Sequence, residues 1–288
     1  FRNFPPSSEI VSKGMQLFKD LPRAGGFAPK TAVVMHVNDT FGTVTGGAVK
    51  GVWEKLGIDI KILDVISYDL RARDLSVEVA KAKATGADAI HPGYGFLAEN
   101  PALPKACEGN GIVFIGPRSE TMRALGGKIS ARKLAKDCGV PINEGSEALG
   151  DVAEVEARAE EIGYPVLIKA SAGGGGRGMR VVSEPKGLKN AFHMASSEAQ
   201  TAFGDPTLFV ERYIQNARHV EVQVLGDNFG RVVHLGERDC SSQRRHQKVV
   251  EEASPFGLPD KLTKGMSAAA VALANGVNYN SAGTVEFL

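Results

Sequence analysis

The sequence predicts an α/β protein made of two parts. In the first part, about 90 residues alternate apolar, β-branched segments with helical stretches over short connections, which is typical of parallel βαβ units. From Tyr164 onward the predicted strands are short and close together, which favours antiparallel pairing. Two of these strands flank a glycine-rich run at residues 173–178. We therefore expect a Rossmann-like βαβαβ unit followed by an α+β domain that carries a glycine-rich hairpin.

The elements of the first part follow from the spacing of apolar residues and from the glycines that end helices. Residues 31–37 are apolar almost throughout and predict a buried strand, and the helices that follow end at Gly57 and Gly86. The expected strands are residues 31–37, 59–66, 87–90 and 112–115, and the expected helices are residues 43–56, 76–85, 101–109, 119–125 and 128–138.

The second part contains the antiparallel strands and three further helices. The first of these helices begins with acidic residues, which suits the helix dipole, and we interpret its charges as a solvated face. Residues 227–230 (Asp-Asn-Phe-Gly) predict a hairpin turn. The expected strands are residues 166–169, 179–182, 208–211, 220–226, 232–237 and 284–288, and the expected helices are residues 151–161, 185–203 and 260–275.

Composition and charge exclude several classes of protein. Lys and Arg number 34 and Asp and Glu 33, so a net charge of +1 would attract neither nucleic acid nor an anionic membrane. No apolar run reaches the roughly 18 residues that a membrane span needs. Cys107, Cys138 and Cys240 are too widely spaced for a disulfide framework or a zinc motif, so we expect them to be structural. The chain begins with Phe1 rather than Met, and we expect it to be a fragment.

The glycine run is the first candidate functional segment. It is flanked by strands and preceded by Lys169, whereas a Walker A loop would place Gly-Lys-Ser/Thr at the start of a helix. Such a hairpin can close its backbone N–H groups over phosphates, with the lysine supplying a positive charge. The alternative is a mobile surface hairpin, although so many adjacent glycines are costly to order.

Three other segments are weaker candidates. Residues 209–214 form a strand that could offer backbone groups to an adenine, or simply a structural strand. Residues 237–248 are dense in hydrogen-bonding groups, and the alternative is a solvated loop. Glu286 lies in an apolar strand, where an unpaired carboxylate is costly, and this makes it a candidate Mg²⁺ ligand. Residues 219–224 alternate polar and apolar side chains, which a half-buried strand explains fully.

The order of these segments resembles that of biotin carboxylase, the ATP-grasp component of biotin-dependent acyl-CoA carboxylases, from about residue 89 to residue 288. The combination of the glycine hairpin with residues 244–248 (Arg-Arg-His-Gln-Lys) is its most specific feature. The resemblance implies an ATP-grasp domain at residues 128–288, with a lid at about 141–210, preceded at 91–127 by the end of the family's N-terminal domain. The stretches that carry it are residues 91–100, 114–117, 126–131, 164–182, 209–225, 244–254 and 281–288.

The resemblance implies roles for individual residues. Lys128 and Lys169 would bind phosphate, Lys248 would hold bicarbonate, and Glu286 would be the first carboxylate ligand of Mg²⁺ or Mn²⁺. The nucleotide site would be completed by Gly175 and Gly176 in the lid, by the adenine hinge Glu211, Arg212, Tyr213 and Ile214, by His219, Gln243 and His246, and by an apolar contact from Leu288.

The resemblance also implies a reaction and its partners. Bicarbonate would attack the γ-phosphate of Mg·ATP to give carboxyphosphate and ADP, and CO₂ would then pass to the ureido nitrogen of carrier-bound biotin. The expected partners are a biotin carboxyl carrier protein or domain, a carboxyltransferase that selects the acyl-CoA, and a second copy of the chain in a homodimer. The expected location is the cytoplasm.

Two departures from the family pattern add further expectations. The sequence stops at Leu288, before the family's second Mg²⁺ carboxylate, asparagine ligand, catalytic arginine and glutamate base, so we expect the fold to be incomplete at its C-terminus and the chain to be inactive or to bind ATP only. Residues 1–88 instead resemble part of a periplasmic branched-chain amino-acid-binding protein. We therefore expect a chimera joined near Ile90, with residues 1–90 as a separate βαβαβ unit. The alternative function is that of a non-enzymatic amino-acid-binding fragment, which would lie in the periplasm.

Overall fold

The computed structural model describes Gln16 and residues 29–69, 72, 74–93, 96–171, 178–244 and 247–288, and it divides into two compact units, Phe1–Ser119 and Glu120–Leu288. The predicted boundaries at residues 90 and 127 stay predictions. Three predicted site residues, Gly175, Gly176 and His246, lie outside the described residues. None of the described helices combines the length and the apolar character needed to cross a bilayer.

Among its described residues the first unit contains two separate pairs of strands, and both pairs are parallel, as the alternation of strands and helices predicts. Strands β1 and β2 form one pair, and strands β3 and β4 form the other. The strands are β1 (Thr31–Val37), β2 (Lys61–Tyr68), β3 (Ala89–Ile90) and β4 (Val113–Phe114), and the helices are α1 (Thr40–Lys55), α2 (Ser76–Ala84) and α3 (Ala102–Asn110), with a 3₁₀ turn at Phe96–Glu99.

The chain turns from β1 into α1 with a tight contact. Asp39 caps the helix, since its Oδ1 accepts a hydrogen bond from the backbone N–H of Gly42 at 2.6 Å. A Cβ on Gly42 would lie 2.1 Å from the carbonyl oxygen of Val37, so a larger residue could not begin the helix so close to the strand. The core of this unit includes Cys107, which is fully buried, and burial raises the pKa of its thiol to about 11. This cysteine is therefore a packing residue, as we expected.

The second unit begins with a three-stranded antiparallel sheet of order β6-β5-β7. Alternate residues of β5 and β7, such as Ile168 and Leu208, are fully buried against two helices. The residues between them, including Lys169 and Glu211, lie on the opposite face because side chains alternate along a strand. The elements are α4 (Ser119–Gly126), α5 (Lys128–Asp137), α6 (Val152–Ile162), β5 (Val166–Ala170), β6 (Met179–Val182), α7 (Leu188–Phe203) and β7 (Leu208–Arg212).

The second unit continues with a four-stranded antiparallel sheet of order β12-β9-β8-β13. Val220, Val222 and Val224 of β8 are buried together with Met266 and Ala270 of the last helix. The other face of this sheet carries charged residues. The elements are β8 (Val220–Gly226), β9 (Val232–Asp239), the short hairpin strands β10 (Gln243–Arg244) and β11 (Gln247–Lys248), β12 (Glu252–Ala253), α8 (Asp260–Gly276) and β13 (Ser281–Phe287).

The structure differs from the sequence prediction at several element ends. Strand β2 starts at Lys61 instead of residue 59, and β13 covers 281–287 instead of 284–288. The predicted helix 185–203 begins as a 3₁₀ turn and becomes α-helical at Leu188. The segment 237–248 is not a simple solvated loop, because it includes the end of β9 and the paired strands β10 and β11. The differences at the strands depend on pairing between segments that are distant in the sequence.

Replacing Leu208 by Ala tests the core of the first sheet in the second unit. We expect the free energy of unfolding to fall by about 2–5 kcal/mol, because the variant loses buried apolar surface and leaves a cavity. The matched control is Val181→Ala on β6, where the side chain is 49% exposed, and we expect a change below about 1 kcal/mol. Urea unfolding followed by circular dichroism measures both, and equal effects would contradict the placement of Leu208 in the core.

Candidate functional site

The face of β5 and β7 that points away from the helices carries a lysine cluster, which consists of Lys128, Lys169, Arg132 and Glu211. Lys169 forms an ion pair with Glu211 Oε1, and the two side chains are 20% and 9% exposed. Lys128, the first residue of α5, donates a hydrogen bond to the Ala170 carbonyl at 3.1 Å. Both lysines that the resemblance assigns to phosphate therefore lie in one group.

The lysine cluster contains more positive than negative charge. Burial lowers the pKa of Lys128, and the positive charge of Lys169 lowers it further, while Glu211 opposes both effects. Arg132 also contacts Glu211, at 3.4 Å, so three cationic side chains lie around one carboxylate, and two of them pair with it directly. A partly buried group of this kind is suited to bind an anion with several negative charges.

The predicted adenine hinge follows directly after this cluster along β7. The Arg212 side chain is not directed toward the lysines, because its Nη2 pairs with Glu144 Oε2 at 2.7 Å. The backbone N–H of Tyr213 donates to the Pro165 carbonyl at 3.0 Å. Among the described residues the backbone N–H of Ile214 has no hydrogen-bond partner. Only this last group of the hinge is a free donor of the kind that an adenine needs.

A second charged group, the carboxylate row, lies on the other antiparallel sheet. Glu221 of β8 is directly opposite Arg238 of β9 on one side and opposite Glu286 of β13 on the other. Lys248 Nζ contacts both carboxylates, as an ion pair with Glu221 and at 2.9 Å from Glu286 Oε1. Arg238 Nε donates to the other oxygen of Glu221 at 2.7 Å. Without the cation between them, two carboxylates on facing strand positions would repel each other.

Burial and hydrogen bonding act in opposite directions on the carboxylate row. The Glu221 side chain is 3% exposed, and burial alone would raise the pKa of its carboxyl group. Hydrogen bonds from Lys248 and Arg238 outweigh burial and lower that pKa. Burial alone would lower the pKa of Lys248, but its hydrogen bonds to Glu221 and Glu286 raise it above the ordinary value. Glu221 and Lys248 are therefore both charged at neutral pH.

His219 and Gln243 lie beside the carboxylate row. The Gln243 side-chain amide is 2.6 Å from His219 Nδ1 and also donates to the Cys240 carbonyl at 2.8 Å. His219 Nε2 is buried and lies 3.5 Å from Glu286 Oε1. If the amide nitrogen donates to Nδ1, the histidine proton is on Nε2 and points toward Glu286. The structure thus brings four of the predicted site residues together: His219, Gln243, Lys248 and Glu286.

The carboxylate row also offers ligands for a cation. Ligand atoms of His219, Glu221 and Glu286 lie within 4.8 Å of one another. The Glu286 side chain is 54% exposed and pairs with Lys248, so it is not an unpaired carboxylate, and its oxygens are accessible to a hard cation. The residues present therefore fit Mg²⁺ through Glu286. A second group contains Cys240, whose thiol pKa burial and Glu221 raise to about 11, and a protonated thiol is a poor ligand.

Some residues of the site were missed, and one predicted residue is isolated. Glu221 and Arg238 were not predicted, because the alternation of residues 219–224 is equally typical of an ordinary half-buried strand. The unexplained density of polar groups at 237–248 was the one signal that included Arg238. Leu288 is 69% exposed, and its apolar contact with adenine stays a prediction.

Two family models match the chain. The model described as carbamoyl-phosphate synthase L chain, ATP binding domain, matches residues 127–288. The model described as biotin carboxylase, N-terminal domain, matches residues 72–122. The first match includes both the lysine cluster and the carboxylate row.

Similar proteins of known identity are carboxylases. Pyruvate carboxylase of Bacillus subtilis is 53% identical over 208 residues, which are 72% of this chain and 18% of that protein. Biotin carboxylase 1 of the same bacterium is 50% identical over 211 residues, 73% of this chain and 47% of that protein. The chain therefore spans less than half the length of these two relatives.

Similar solved structures cover 97% of this chain. The biotin carboxylase–β-γ-ATP complex from Campylobacter jejuni has a TM-score of 0.81 and 40% identity, and the match covers 59% of that chain. The biotin carboxylase domain dimer of Hydrogenobacter thermophilus 2-oxoglutarate carboxylase, with MgADP, ADP and bicarbonate, has a TM-score of 0.79 and 38% identity over 58% of that chain.

These comparisons give no support to the periplasmic binding protein predicted for residues 1–88. The N-terminal model begins at residue 72, within that segment, and the matching biotin carboxylase structures extend over nearly the whole chain. The predicted join near Ile90 falls inside the region matched by one model. Parallel βαβ units are shared by many unrelated proteins, so the local pattern could not identify the family.

Replacing Glu221 by Gln should destabilise the protein at neutral pH. The variant leaves Arg238 and Lys248 without their charged acceptor, a loss of roughly 2–3 kcal/mol. Because the pKa of Glu221 is lowered on folding, its contribution is complete above the unfolded pKa of about 4.3 and is lost as pH falls through the folded value. The difference between variant and wild type should therefore shrink as pH falls below about 4.

Urea unfolding of both proteins between pH 7.5 and 3.5 measures this dependence. The control is Glu156→Gln at an exposed position of α6, which should change stability by no more than about 0.5 kcal/mol. A difference for Glu221→Gln that stays constant over the whole pH range would contradict the ionised carboxylate row.

Proposed function

Since the chain belongs to the carbamoyl-phosphate synthase L chain ATP-binding family and carries a biotin carboxylase domain, we propose that it takes part in the ATP- and bicarbonate-dependent carboxylation of carrier-bound biotin. The observation that carries this proposal is the lysine cluster, in which the positive charges of Lys128, Lys169 and Arg132 surround one carboxylate, that of Glu211. An unbalanced positive charge beside a strand that ends in a free N–H group suits a nucleotide polyphosphate.

In the first step, a bicarbonate oxygen attacks the γ-phosphorus of ATP, the bond to the β-phosphate oxygen breaks, and carboxyphosphate and ADP form. Lys128 and Lys169 lower the activation free energy of this step by offsetting the negative charge that develops on the phosphate oxygens. The Ile214 N–H donates a hydrogen bond to the edge of the adenine. We assign Gly175 and Gly176 to the lid over the phosphates and His246 to the nucleotide site on the family resemblance.

Lys248 is assigned to bicarbonate. Its ammonium group is held between Glu221 and Glu286, and hydrogen bonds keep it charged. A single ammonium group of this kind can orient an anion of one charge without holding it as tightly as a nucleotide. Carboxyphosphate then breaks into CO₂ and phosphate, the ureido nitrogen of biotin bonds to CO₂, and its N–H proton passes to the phosphate.

Glu286 is the proposed carboxylate ligand of Mg²⁺ or Mn²⁺. When bound, the metal ion neutralises charge on the triphosphate. His219 and Gln243 support this position, since the histidine Nε2 faces the same carboxylate oxygen that Lys248 contacts. Lys248 must therefore share or release Glu286 when a cation is present.

The proposed partners follow from the reaction. A biotin carboxyl carrier protein or domain presents biotin, and a carboxyltransferase uses the carboxylated product. A homodimer is proposed from the relative that was crystallised as a biotin carboxylase domain dimer. We place the reaction in the cytoplasm, where ATP and bicarbonate are both present.

Lys169→Ala tests the nucleotide site. We expect the affinity for ADP to fall by at least about tenfold, because the variant removes one of the two phosphate-facing lysines, and a tenfold loss corresponds to about 1.4 kcal/mol. The control is Lys189→Ala at an exposed position of α7, which should bind ADP as tightly as wild type. Isothermal titration calorimetry measures the ADP affinity of both variants. Unchanged affinity in Lys169→Ala would show that Lys169 does not bind phosphate.

Lys248→Ala tests the separation between nucleotide and bicarbonate sites. We expect ADP affinity within about threefold of wild type, because the only contacts described for Lys248 Nζ are with Glu221 and Glu286. Any stimulation of ADP formation by bicarbonate should be lost, and Lys248→Arg should recover part of it. A loss of nucleotide affinity as large as that of Lys169→Ala would show that Lys248 belongs to the nucleotide site and would contradict its assignment to bicarbonate.

A further inference from the structure

We propose that Arg132 is a positioning residue of the nucleotide site, which stabilises Glu211 so that Lys169 can leave this carboxylate and bind phosphate. The inference rests on the nucleotide site of the proposed function. It concerns a residue to which neither the family resemblance nor the sequence pattern gave a role.

The two oxygens of Glu211 are divided between two cations. Lys169 pairs with Oε1, and Arg132 Nη1 lies 3.4 Å from Oε2. The Glu211 side chain is only 9% exposed, so water contributes little to stabilising its charge. A carboxylate in this position needs at least one cationic partner at all times.

Arg132 is fixed in its place. Its Nη2 donates to the Asn143 carbonyl at 2.7 Å. The chain also passes so close at Gly145 that a Cβ there would lie 2.7 Å from the same nitrogen. The guanidinium therefore cannot follow a bound phosphate, whereas Lys169 carries its charge on a flexible four-carbon chain.

Because of this difference in mobility, the two cations have different functions. When phosphate arrives and Lys169 turns toward it, Glu211 keeps Arg132 as its partner and does not become an isolated buried charge. Without Arg132, Glu211 would depend on Lys169 alone and would compete with phosphate for it. The removal of Arg132 also lowers the net positive charge of the lysine cluster by one.

The experiment compares Arg132→Gln with Arg158→Gln in the full chain. Arg158 is a matched control because its Nη2 donates to the Gly145 carbonyl at 3.1 Å and so supports the same loop, while its Nη1 pairs with Glu161 outside the lysine cluster. The affinities for ADP and for adenosine, which has no phosphate, are measured by calorimetry. Circular dichroism verifies the fold of each variant.

We expect Arg132→Gln to bind ADP about tenfold more weakly and adenosine as well as wild type does. Arg132→Lys should recover most of the loss, and Arg158→Gln should stay within about twofold of wild type. In a Glu211→Gln background, where no carboxylate competes for Lys169, the effect of Arg132→Gln should drop below about threefold. If Arg132→Gln does not fold, the comparison of Arg132→Lys with Arg132→Met provides the same test.

Three results would overturn the inference. Unchanged ADP affinity in Arg132→Gln would show that Arg132 does not position the nucleotide site. If Arg132→Gln lost as much affinity for adenosine as for ADP, or if Arg158→Gln lost as much ADP affinity as Arg132→Gln, Arg132 would only support the loop at Gly145. A wild-type chain that binds neither ADP nor ATP would instead overturn the nucleotide site itself and the inference with it. The wild-type measurement therefore separates failure of the proposed function from failure of the inference alone.

Discussion

The second unit depends on two buried carboxylates, each of which divides its oxygens between an arginine and a lysine. Glu221 contacts Arg238 through one oxygen and Lys248 through the other. Glu211 contacts Arg132 and Lys169 in the same way. A carboxylate with so little exposure would be strongly destabilising if it were unpaired, so these contacts fix the strands that carry them. The same contacts place two lysines where they can meet anionic substrates.

The division of each carboxylate between two cations links stability to function. An arginine bound through several hydrogen bonds is a geometrically fixed partner, while a lysine is a mobile point charge. The glutamate can therefore stay compensated when its lysine is used elsewhere. In the reaction that we propose, that use is the binding of phosphate in the lysine cluster and the binding of bicarbonate in the carboxylate row. Cationic residues are often treated as substrate ligands only, but in this protein they are also required by the fold.

Much of the fold could be predicted from the sequence because its signals are local. The bounds of β6 and β8 match the prediction, since alternation and flanking turns define them within a few residues. The carboxylate row could not be predicted in this way. The pairing of Glu221 with both Arg238 and Glu286 depends on the register of three strands that are distant in the sequence. Lys128 and Lys248 were found through the family resemblance, and Lys169 also through its place before the glycine run. The pairing of Lys169 with Glu211 and of Lys248 with Glu221 and Glu286 required the structure.

The most direct test of the proposed reaction follows an oxygen atom. The protein is mixed briefly with Mg·ATP and ¹⁸O-labelled bicarbonate in unlabelled water, and the phosphate released is analysed by mass spectrometry. Attack by bicarbonate on the γ-phosphate leaves one bicarbonate oxygen in the phosphate when carboxyphosphate loses CO₂. We therefore predict that any phosphate released carries one ¹⁸O atom. Phosphate without ¹⁸O would show that water is the nucleophile and would contradict the account.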